Sequence, residues 1–275
     1  PEARRPAAPV HQQFGLSELA LYRVNGPVNL VRMNELIDLA DAPALRFPPF
    51  EPAPPATLQR TQPMFDRIRR GALLLHHPFE SFEPVVRFLR EAVNDPDVLA
   101  IKQTIYRAGS VSPLMDLLIE AARSGKEVMA VVELKARFEE EANINWAERL
   151  EAVGAQVVYG VVGLKTHAKM LLVTRREGHG MKRYAHLSTG NYNPSTARLY
   201  TDLGYFTAAE DITSDVDAVF QQLASLGKMQ PLKVLQQAPF TLQAGMLAHI
   251  AKVTEAALAK RQARIVVKIN ALTDV

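Results

Sequence analysis

From residue 72 onward the sequence alternates between short apolar runs and amphipathic segments, and no other feature constrains the fold as strongly. The spacing predicts strands over 72–75, 98–106, 128–134 and 155–159, separated by helices over 82–93, 113–123 and 144–153. Gly125 and Gly154 follow two of these helices, at the position where a helix commonly ends. Strands that alternate with helices of this length are typical of βαβ units. We therefore expect an α/β fold with a mixed, mostly parallel sheet flanked by helices.

The pattern changes after residue 167. Apolar runs at 170–174 and 183–188 flank a turn rich in glycine and charged residues, which is typical of a β-hairpin. A strand over 203–207, a helix over 214–224, a helix over 242–259 and a strand over 264–269 are predicted to follow. Because no helix follows the last strand, we expect the sheet to which it belongs to be incomplete in this chain.

Prolines set a boundary ahead of this region. Eleven of the 18 prolines precede residue 64, and seven of them fall between Pro43 and Pro63. Proline has no backbone N–H and interrupts helices and central strands, so this stretch is predicted to be an extended linker that follows a short helix over 34–39. The predicted division is a flexible lead-in over 1–13, a segment and linker over 14–63, a domain over 64–260 and the start of another over 261–275.

Composition excludes several classes of protein. Of the 275 residues, 48% are hydrophobic and 22% are charged, which is enough apolar material for a sizeable core. The absence of cysteine excludes disulfides and thiolate metal sites. No apolar run approaches the roughly 18 residues of a membrane span, so we expect a cytoplasmic protein without such a span. A net charge of +3 suits an anionic ligand and does not require nucleic acid.

Among the seven histidines, His167 alone is followed two residues later by a lysine, Lys169. In an extended segment both side chains leave the same face of the chain. A neighbouring ammonium disfavours the imidazolium form, which leaves a neutral nitrogen able to attack phosphorus while the ammonium neutralises phosphoryl oxygens. The same spacing also fits an ordinary half-buried histidine beside a lysine. Should His167 not be the nucleophile, His186 is the next candidate.

Polar residues follow the predicted strands, where ligands of α/β sheets bind. Arg107 follows the strand over 98–106, and Lys135 and Arg137 follow the strand over 128–134. Guanidinium groups bind phosphate oxygens through two hydrogen bonds, so these arginines suit a polyanion, although each could instead be an ordinary surface charge. A polar loop over 188–193 follows the hairpin and precedes two further candidates. The candidates of this second region are Asn191, Arg198 and Tyr200.

Six segments together resemble the large, magnesium-dependent polyphosphate kinase family. They are LHHPFESF (75–82), KQTIYR (102–107), ELKARF (133–138), GLKTHAK (163–169), GNYN (190–193) and TARLYTD (196–202). The resemblance runs from about residue 14 to residue 274. It implies a catalytic half built from two phospholipase-D-like domains, with the active site between them. By this resemblance 14–63 is the end of the middle domain with its linker, 64–260 is the first catalytic domain, and 261–275 begins a truncated second one.

The resemblance also implies an activity, in which ATP and polyphosphate of n units give ADP and polyphosphate of n+1 units. His167 matches the histidine that ATP phosphorylates, and Lys169 belongs to the same motif. Arg107 and Arg137 fall at positions described as binding Mg²⁺, but a guanidinium cannot ligate a cation, so we expect them to contact the phosphates that carry the metal. Tyr200 falls at an ATP-contacting tyrosine. Lys135, Asn191 and Arg198 are expected to bind ATP or phosphate. Full-length members are expected to be homo-oligomers.

Two other functions remain open at this point. A phosphodiesterase of the phospholipase D type, acting on lipid or DNA, uses the same His-x-Lys pair but normally carries an aspartate further on and a second copy of the motif. The sixth residue after Lys169 is Arg175, which weakens this alternative. The other open function is that of a non-catalytic protein that binds polyphosphate, because the resemblance does not account for the family's second catalytic domain.

Overall fold

The computed structural model of the chain describes residues 13–17, 22, 24–40, 42–48, 50–59, 61–134, 140–161, 163–225, 231–267 and 269. The chain divides into two compact units, Pro1–Phe50 and Glu51–Val275. The first unit contains the predicted short helix as α1 (Asn34–Leu39), with 3₁₀ turns at Leu30–Met33 and Pro43–Leu45. The end of the proline-rich stretch belongs to the second unit, where Ala53 and Glu80 form an isolated parallel β-bridge.

The second unit contains all the strands of the described residues and most of their helices. The strands are β1 (Leu73–His77), β2 (Val98–Ile105), β3 (Glu127–Val132), β4 (Gln156–Val158), β5 (Lys169–Glu177), β6 (Gly180–Ser188) and β7 (Asp202–Thr207). The helices are α2 (Met64–Arg70), α3 (Glu83–Asn94), α4 (Pro113–Arg123), α5 (Glu140–Glu151), α6 (Glu210–Ser225) and α7 (Leu242–Leu258). All predicted elements are present up to residue 258, and their ends differ from the predicted ends by a few residues. The strand predicted over 264–269 is wrong, because its described residues, 264–267 and 269, pair with no neighbouring strand.

The strands form one sheet in the order β1-β7-β6-β5-β2-β3-β4. The pairs β2–β3 and β3–β4 are parallel, whereas β1–β7, β7–β6, β6–β5 and β5–β2 are antiparallel. The α/β class and the mixed sheet are therefore as predicted, but the prediction of a mostly parallel sheet is wrong. The physical reason is that β5, β6 and β7 run back and forth and insert between β1 and β2. Strand–helix alternation fixes the direction of β1 and β2 but not which strands become their neighbours.

The central strands are buried on both faces. In β3, Val128, Ala130 and Val132 belong to the larger core, which also contains side chains of α2 to α5. The alternate residues Met129 and Val131 pack with side chains of α6 in a second core. A strand covered on both faces needs a continuous apolar sequence, and this explains the uninterrupted apolar run that predicted β3.

Local signals define the helix ends. The Ser112 hydroxyl accepts a hydrogen bond from the backbone N–H of Met115, and Pro113 occupies the first turn of α4. After this helix Gly125 adopts a φ of +83°, which ends the helix at little energetic cost. Within the part of the chain that the structure describes, every helix is too short or too polar to span a membrane.

Several strand ends that carry candidate residues meet at one edge of the sheet. Because β5 is antiparallel to β2 and β6 is antiparallel to β5, the sheet brings the ends of β2, β3 and β6 together with the starts of β5 and β7. Lys169 at the start of β5 pairs with Ser188 at the end of β6. The segments that follow β2 and β3 and the loop over 189–201 therefore begin at the same edge, and the candidate site lies there.

Candidate active site

Tyr106, the first residue after β2, lies among the charged groups at this edge of the sheet. Its ring meets the His167 ring edge-on, with a centroid separation of 5.0 Å and an interplanar angle of 76°. The Lys169 Nζ lies 4.8 Å from the centre of the Tyr106 ring, and the Arg107 Cζ lies 5.4 Å from it. A single, mostly buried aromatic ring thus brings together the histidine, the lysine and one arginine named from the sequence.

The surroundings of His167 favour a neutral imidazole. Partial burial is the largest cause that lowers the pKa of His167, and the cations Lys169, Arg107 and Lys165 lower it further. The carboxylate of Glu133 opposes this shift. A neutral imidazole keeps an unprotonated ring nitrogen, which is the form that can act as a nucleophile.

Lys169 is only 6% exposed. Its Nζ donates a hydrogen bond to the backbone carbonyl of His167 at 2.6 Å, so the two residues of the His-x-Lys pair are linked directly. Burial lowers the pKa of Lys169 to about 8, and Arg107 contributes in the same direction while Asp202 opposes it. Near neutral pH the group is charged, and a modest rise in pH removes its proton.

The segment that leads to His167 is attached to the end of β3. The buried carboxylate of Glu133 accepts a hydrogen bond from the backbone N–H of Thr166 at 2.7 Å. The backbone carbonyl of Glu133 in turn accepts one from the Asn143 side chain of α5 at 3.0 Å. Glu133 therefore fixes the residue immediately before the histidine, and its negative charge acts on the imidazole itself.

Arg107 has a strained backbone and an unused donor. Its φ is +54°, in the left-handed region that costs a non-glycine residue about 1–3 kcal/mol. Its carbonyl accepts a hydrogen bond from the Asn193 side chain at 3.2 Å. Its buried Nε has no hydrogen-bond partner among the described residues. A bound anion would satisfy this donor.

The loop after β6 passes very close to Asp202. A Cβ at Gly190 would lie 2.4–2.9 Å from atoms of the Asp202 side chain, so only glycine fits at this position. The Thr189 hydroxyl donates to Asp202 Oδ1 at 2.9 Å. These contacts hold the carboxylate of Asp202 where its charge acts on Lys169.

The other candidates named from the sequence lie elsewhere on this edge or outside the described residues. Asn191 is half-buried in the loop after β6, and Tyr200 is 63% exposed beyond the 3₁₀ turn Thr196–Arg198. Arg198 forms an ion pair with Glu51 at 3.0 Å. Lys135 and Arg137 lie outside the described residues.

His186 is not accessible to a substrate. It is completely buried, its Nδ1 lies 3.0 Å from the Tyr192 hydroxyl, and burial lowers the pKa of His186 to about 3. The Tyr192 hydroxyl also donates to the backbone carbonyl of His186 at 3.1 Å. The residue considered as an alternative nucleophile is therefore part of the core, where it attaches the loop after β6 to the sheet.

Four residues with direct contacts to this site have no role assigned by the sequence analysis. They are Tyr106, Glu133, Asn193 and Asp202. Each lies within a segment that carries the family resemblance, and three of them directly adjoin a strand end. Cationic residues at strand ends were the sequence signal for this site, and these four residues are not cations. They contribute an aromatic face, hydrogen bonds to backbone groups and negative charge.

The described residues do not fit a magnesium site made of protein ligands. They contain no group of three or more His, Cys, Asp or Glu side chains that could hold a metal ion. Glu133 and Asp202 accept hydrogen bonds from Thr166 and Thr189, and the Arg107 guanidinium has no lone pair for a metal.

A cleft of about 670 Å³ opens beside the histidine. His167 and Lys169 line it, but most of its other lining side chains are apolar and include Leu223 of α6 and Phe240. An apolar lining does not compensate the charge of a polyanion. Contacts to phosphate are therefore to be expected from the cations around Tyr106 rather than from the far side of this cleft.

Comparison with known proteins agrees with the resemblance seen in the sequence. The chain is 55% identical over 267 residues to a polyphosphate kinase from Burkholderia multivorans. The alignment covers 96% of this chain and 39% of the relative. The crystal structure of the polyphosphate kinase from Porphyromonas gingivalis matches with a TM-score of 0.72 and 35% identity, over 87% of this chain and 40% of that one. The chain thus spans about two fifths of the length of these proteins.

A more distant structural likeness is to Nuc from Salmonella typhimurium, a phospholipase D family member. Its TM-score is 0.45 at 13% identity, over 58% of this chain and 97% of that one, and a likeness of this size carries no conclusion about activity. Residues 63–229, more than half of the chain, match the family described as polyphosphate kinase C-terminal domain 1. The chain therefore belongs to the polyphosphate kinase family, and residues 63–229 are its C-terminal domain 1.

Proposed function

We propose that this chain supplies the phosphoryl-acceptor histidine of a polyphosphate kinase, which transfers the γ-phosphoryl group of ATP reversibly to inorganic polyphosphate. The observation that carries the proposal is the imidazole of His167 packed against Tyr106, with Lys169 and Arg107 around the same ring. The lowered pKa of His167 keeps a nitrogen free for attack. A nitrogen nucleophile with two cations nearby suits phosphoryl transfer to histidine, because the cations can neutralise charge on the phosphoryl oxygens.

The reaction has two steps. An unprotonated ring nitrogen of His167 first bonds to the γ-phosphorus of ATP, while the bond from that phosphorus to the bridging oxygen breaks and ADP leaves with the electron pair. A terminal oxygen of polyphosphate then bonds to the same phosphorus, and the N–P bond breaks with its electron pair returning to the imidazole. In both steps Lys169 and Arg107 neutralise charge on the oxygens of the transferring group.

We assign nucleotide and phosphate binding to the remaining candidates. Lys135 and Arg137, which lie outside the described residues, follow β3 in the sequence, and Asn191 and Tyr200 lie on the loop after β6. Arg198 joins them because its ion pair with Glu51 is exposed, so that a phosphate group can replace Glu51 at little cost. Mg²⁺ would enter as the counter-ion of the nucleotide phosphates, whose charge it neutralises. An ATP-dependent reaction suits the cytoplasm.

We further propose that the chain consists of the end of a middle domain with its linker over 14–63, a first catalytic domain over 64–260 and the start of a second over 261–275. The family match over 63–229 and the compact unit that begins at Glu51 support a first boundary in the proline-rich stretch.

The phosphodiesterase alternative has less support than the kinase, because the family match over 63–229 is to a polyphosphate kinase domain, and the sequence argument against it rests on Arg175. The guanidinium at this position binds Asp95 at 2.7 Å and Glu177 at 3.2 Å. Arg175 is therefore a structural cation.

The test is incubation of the chain with Mg²⁺ and γ-labelled ATP. We expect label that is labile in acid and stable in base, as for a phosphoramidate, and that is absent from His167→Ala. His179→Ala, which changes an exposed histidine in the β5–β6 turn, is the matched control and should keep the label. Label that resists acid, or that persists in His167→Ala, would exclude His167 as the acceptor. Binding of polyphosphate without any labelling would favour the non-catalytic alternative.

A further inference from the structure

The left-handed backbone of Arg107 requires support from its surroundings. Its φ of +54° is unfavourable for any residue other than glycine. The conformation turns the chain immediately after β2, so that the Arg107 guanidinium lies over the Tyr106 ring and its charge acts on His167 and Lys169. If the backbone of Arg107 relaxed to an ordinary conformation, its guanidinium would move away from His167.

The side-chain amide of Asn193 uses both of its ends. Its Nδ2 donates to the Arg107 carbonyl at 3.2 Å, across 86 residues of sequence. Its Oδ1 accepts hydrogen bonds from the backbone N–H groups of Ser195 at 3.0 Å and Thr196 at 3.3 Å. Asn193 is only 8% exposed, and a Cβ at Gly109 would lie 3.3 Å from its Nδ2, so the amide has little room to move. Asn193 therefore connects the loop after β6 to the turn after β2.

The loop that carries Asn193 is fixed in the core by the preceding residue. Tyr192 is 2% exposed, and its hydroxyl contacts both the ring and the backbone carbonyl of His186 in β6. Hydrogen bonds thus attach Tyr192 to β6 and Asn193 to the backbone of Arg107, and the peptide bond between Tyr192 and Asn193 connects the two.

We propose that Asn193 is a positioning residue of the phosphoryl-transfer site, which holds Arg107 in its left-handed conformation and so keeps the guanidinium beside His167. This inference rests on the proposed function, because it concerns the arginine to which that function assigns phosphate binding. We assign Asn193 no contact to the transferring group, because both ends of its amide are already hydrogen-bonded within the chain. Its effect on phosphate binding passes through Arg107.

The decisive variant is Asn193→Asp in the full 275-residue chain. A carboxylate still accepts from Ser195 and Thr196, but it cannot donate to the Arg107 carbonyl. We expect the affinity for tripolyphosphate, measured by calorimetry, to fall by about 10-fold, which corresponds to one hydrogen bond to a positioned group. Asn94→Asp is the matched control, since the Asn94 amide also donates to a backbone carbonyl, that of Arg90 at 2.9 Å, on an exposed helix end. It should leave the affinity unchanged.

A double-mutant cycle separates positioning from the added negative charge. In an Arg107→Ala background, Asn193→Asp should have no further effect on tripolyphosphate affinity if it acts through Arg107. A similar loss in both backgrounds would show that the new charge repels the ligand, and would overturn the proposal. If the aspartate variant does not fold, Asn193→Ser replaces it, because serine is neutral and also lacks the amide donor. Its tripolyphosphate affinity is then compared in the same two backgrounds. Unchanged affinity in a folded Asn193 variant would likewise overturn it.

The outcome for the wild-type chain distinguishes this inference from the proposed function. If the wild-type chain binds tripolyphosphate and takes up label at His167, and the Asn193 variants do the same with unchanged affinity, only the positioning role is lost. If the wild-type chain neither binds tripolyphosphate nor becomes labelled, the proposed function fails first, and the positioning role fails with it.

Discussion

The rings of Tyr106 and His167 meet edge-to-face, with centroids 5.0 Å apart and planes inclined by 76°. The positive edge of one aromatic ring against the face of another is a favourable contact, worth about 0.5–1.5 kcal/mol beyond the area it buries. It favours one orientation of the imidazole relative to the Tyr106 ring. A tyrosine to which the sequence analysis assigns no role thus lies against the proposed nucleophile.

The first prediction concerns this ring. Tyr106→Leu removes the aromatic face that His167, Lys169 and Arg107 share, and we expect the rate of labelling from ATP to fall roughly 10-fold, in keeping with the loss of about 1–2 kcal/mol of aromatic and cation–π contact. Tyr106→Phe keeps the face and should label at close to the wild-type rate. Thermal melting of both variants checks the fold. Equal rates for the leucine and phenylalanine variants would contradict the role of the ring.

The second prediction concerns pH. Because the pKa of His167 lies below its usual value, the nucleophile should remain unprotonated below pH 6.5, and labelling should persist into mildly acidic solution. The pKa of Lys169, about 8, predicts the opposite limb: labelling at low ATP should decline as the pH rises through about 8 and the ammonium loses its charge. Lys169→Arg should move this alkaline limb to higher pH. A profile whose alkaline limb is the same in both proteins would assign that limb to another group.

The third prediction concerns Glu133. Glu133→Ala leaves the buried N–H of Thr166 without a partner, and we expect a loss of about 1–3 kcal/mol in the free energy of unfolding. Glu133→Gln retains an acceptor and should lose less stability. It also removes the negative charge that opposes the lowering of the His167 pKa, so its acid limb of labelling should move to still lower pH. Denaturant melts and a pH profile test the two effects separately.

The fourth prediction concerns His186. The pKa of His186 is lowered from 6.5 to about 3 by burial, so below pH 6.5 its imidazole binds a proton in the unfolded chain but not in the folded one. Folding stability should therefore decrease as the pH falls through this range, by up to about 1.4 kcal/mol per pH unit for this one proton. His167, whose pKa is also lowered, adds a contribution of the same sign.

Urea melts between pH 6.5 and 4.5 check this prediction, because the carboxylates of Glu177 and Asp215, whose pKa values are lowered, contribute mainly below that range. His186→Gln, which cannot titrate, should show a smaller slope than the wild type, whereas the exposed control His179→Ala should keep the wild-type slope. A wild-type slope in His186→Gln would mean that the dependence comes from other groups.

The sequence determined the local elements of this protein. Apolar residues at the spacing of a strand or a helix show which side chains must be buried together, and this information is contained within 5 to 15 neighbouring residues. Helices α3 to α7 and strands β1 to β7 were predicted for that reason. The same local information placed His167, Lys169 and Arg107 at strand ends, and the motifs around them identified the family.

Only the tertiary structure decided which strands are neighbours and what surrounds the histidine. The sequence contains no local signal that inserts β5, β6 and β7 between β1 and β2, since strand pairing depends on contacts between residues far apart in the chain. The predicted strand over 264–269 has an apolar pattern, but its described residues, 264–267 and 269, are unpaired, and pattern alone does not make a strand. The left-handed turn at Arg107 arises in the same way, because the amide of Asn193 supports it from 86 residues away. The sequence therefore supplied the charged groups of the site, and long-range packing and hydrogen bonds determined their arrangement.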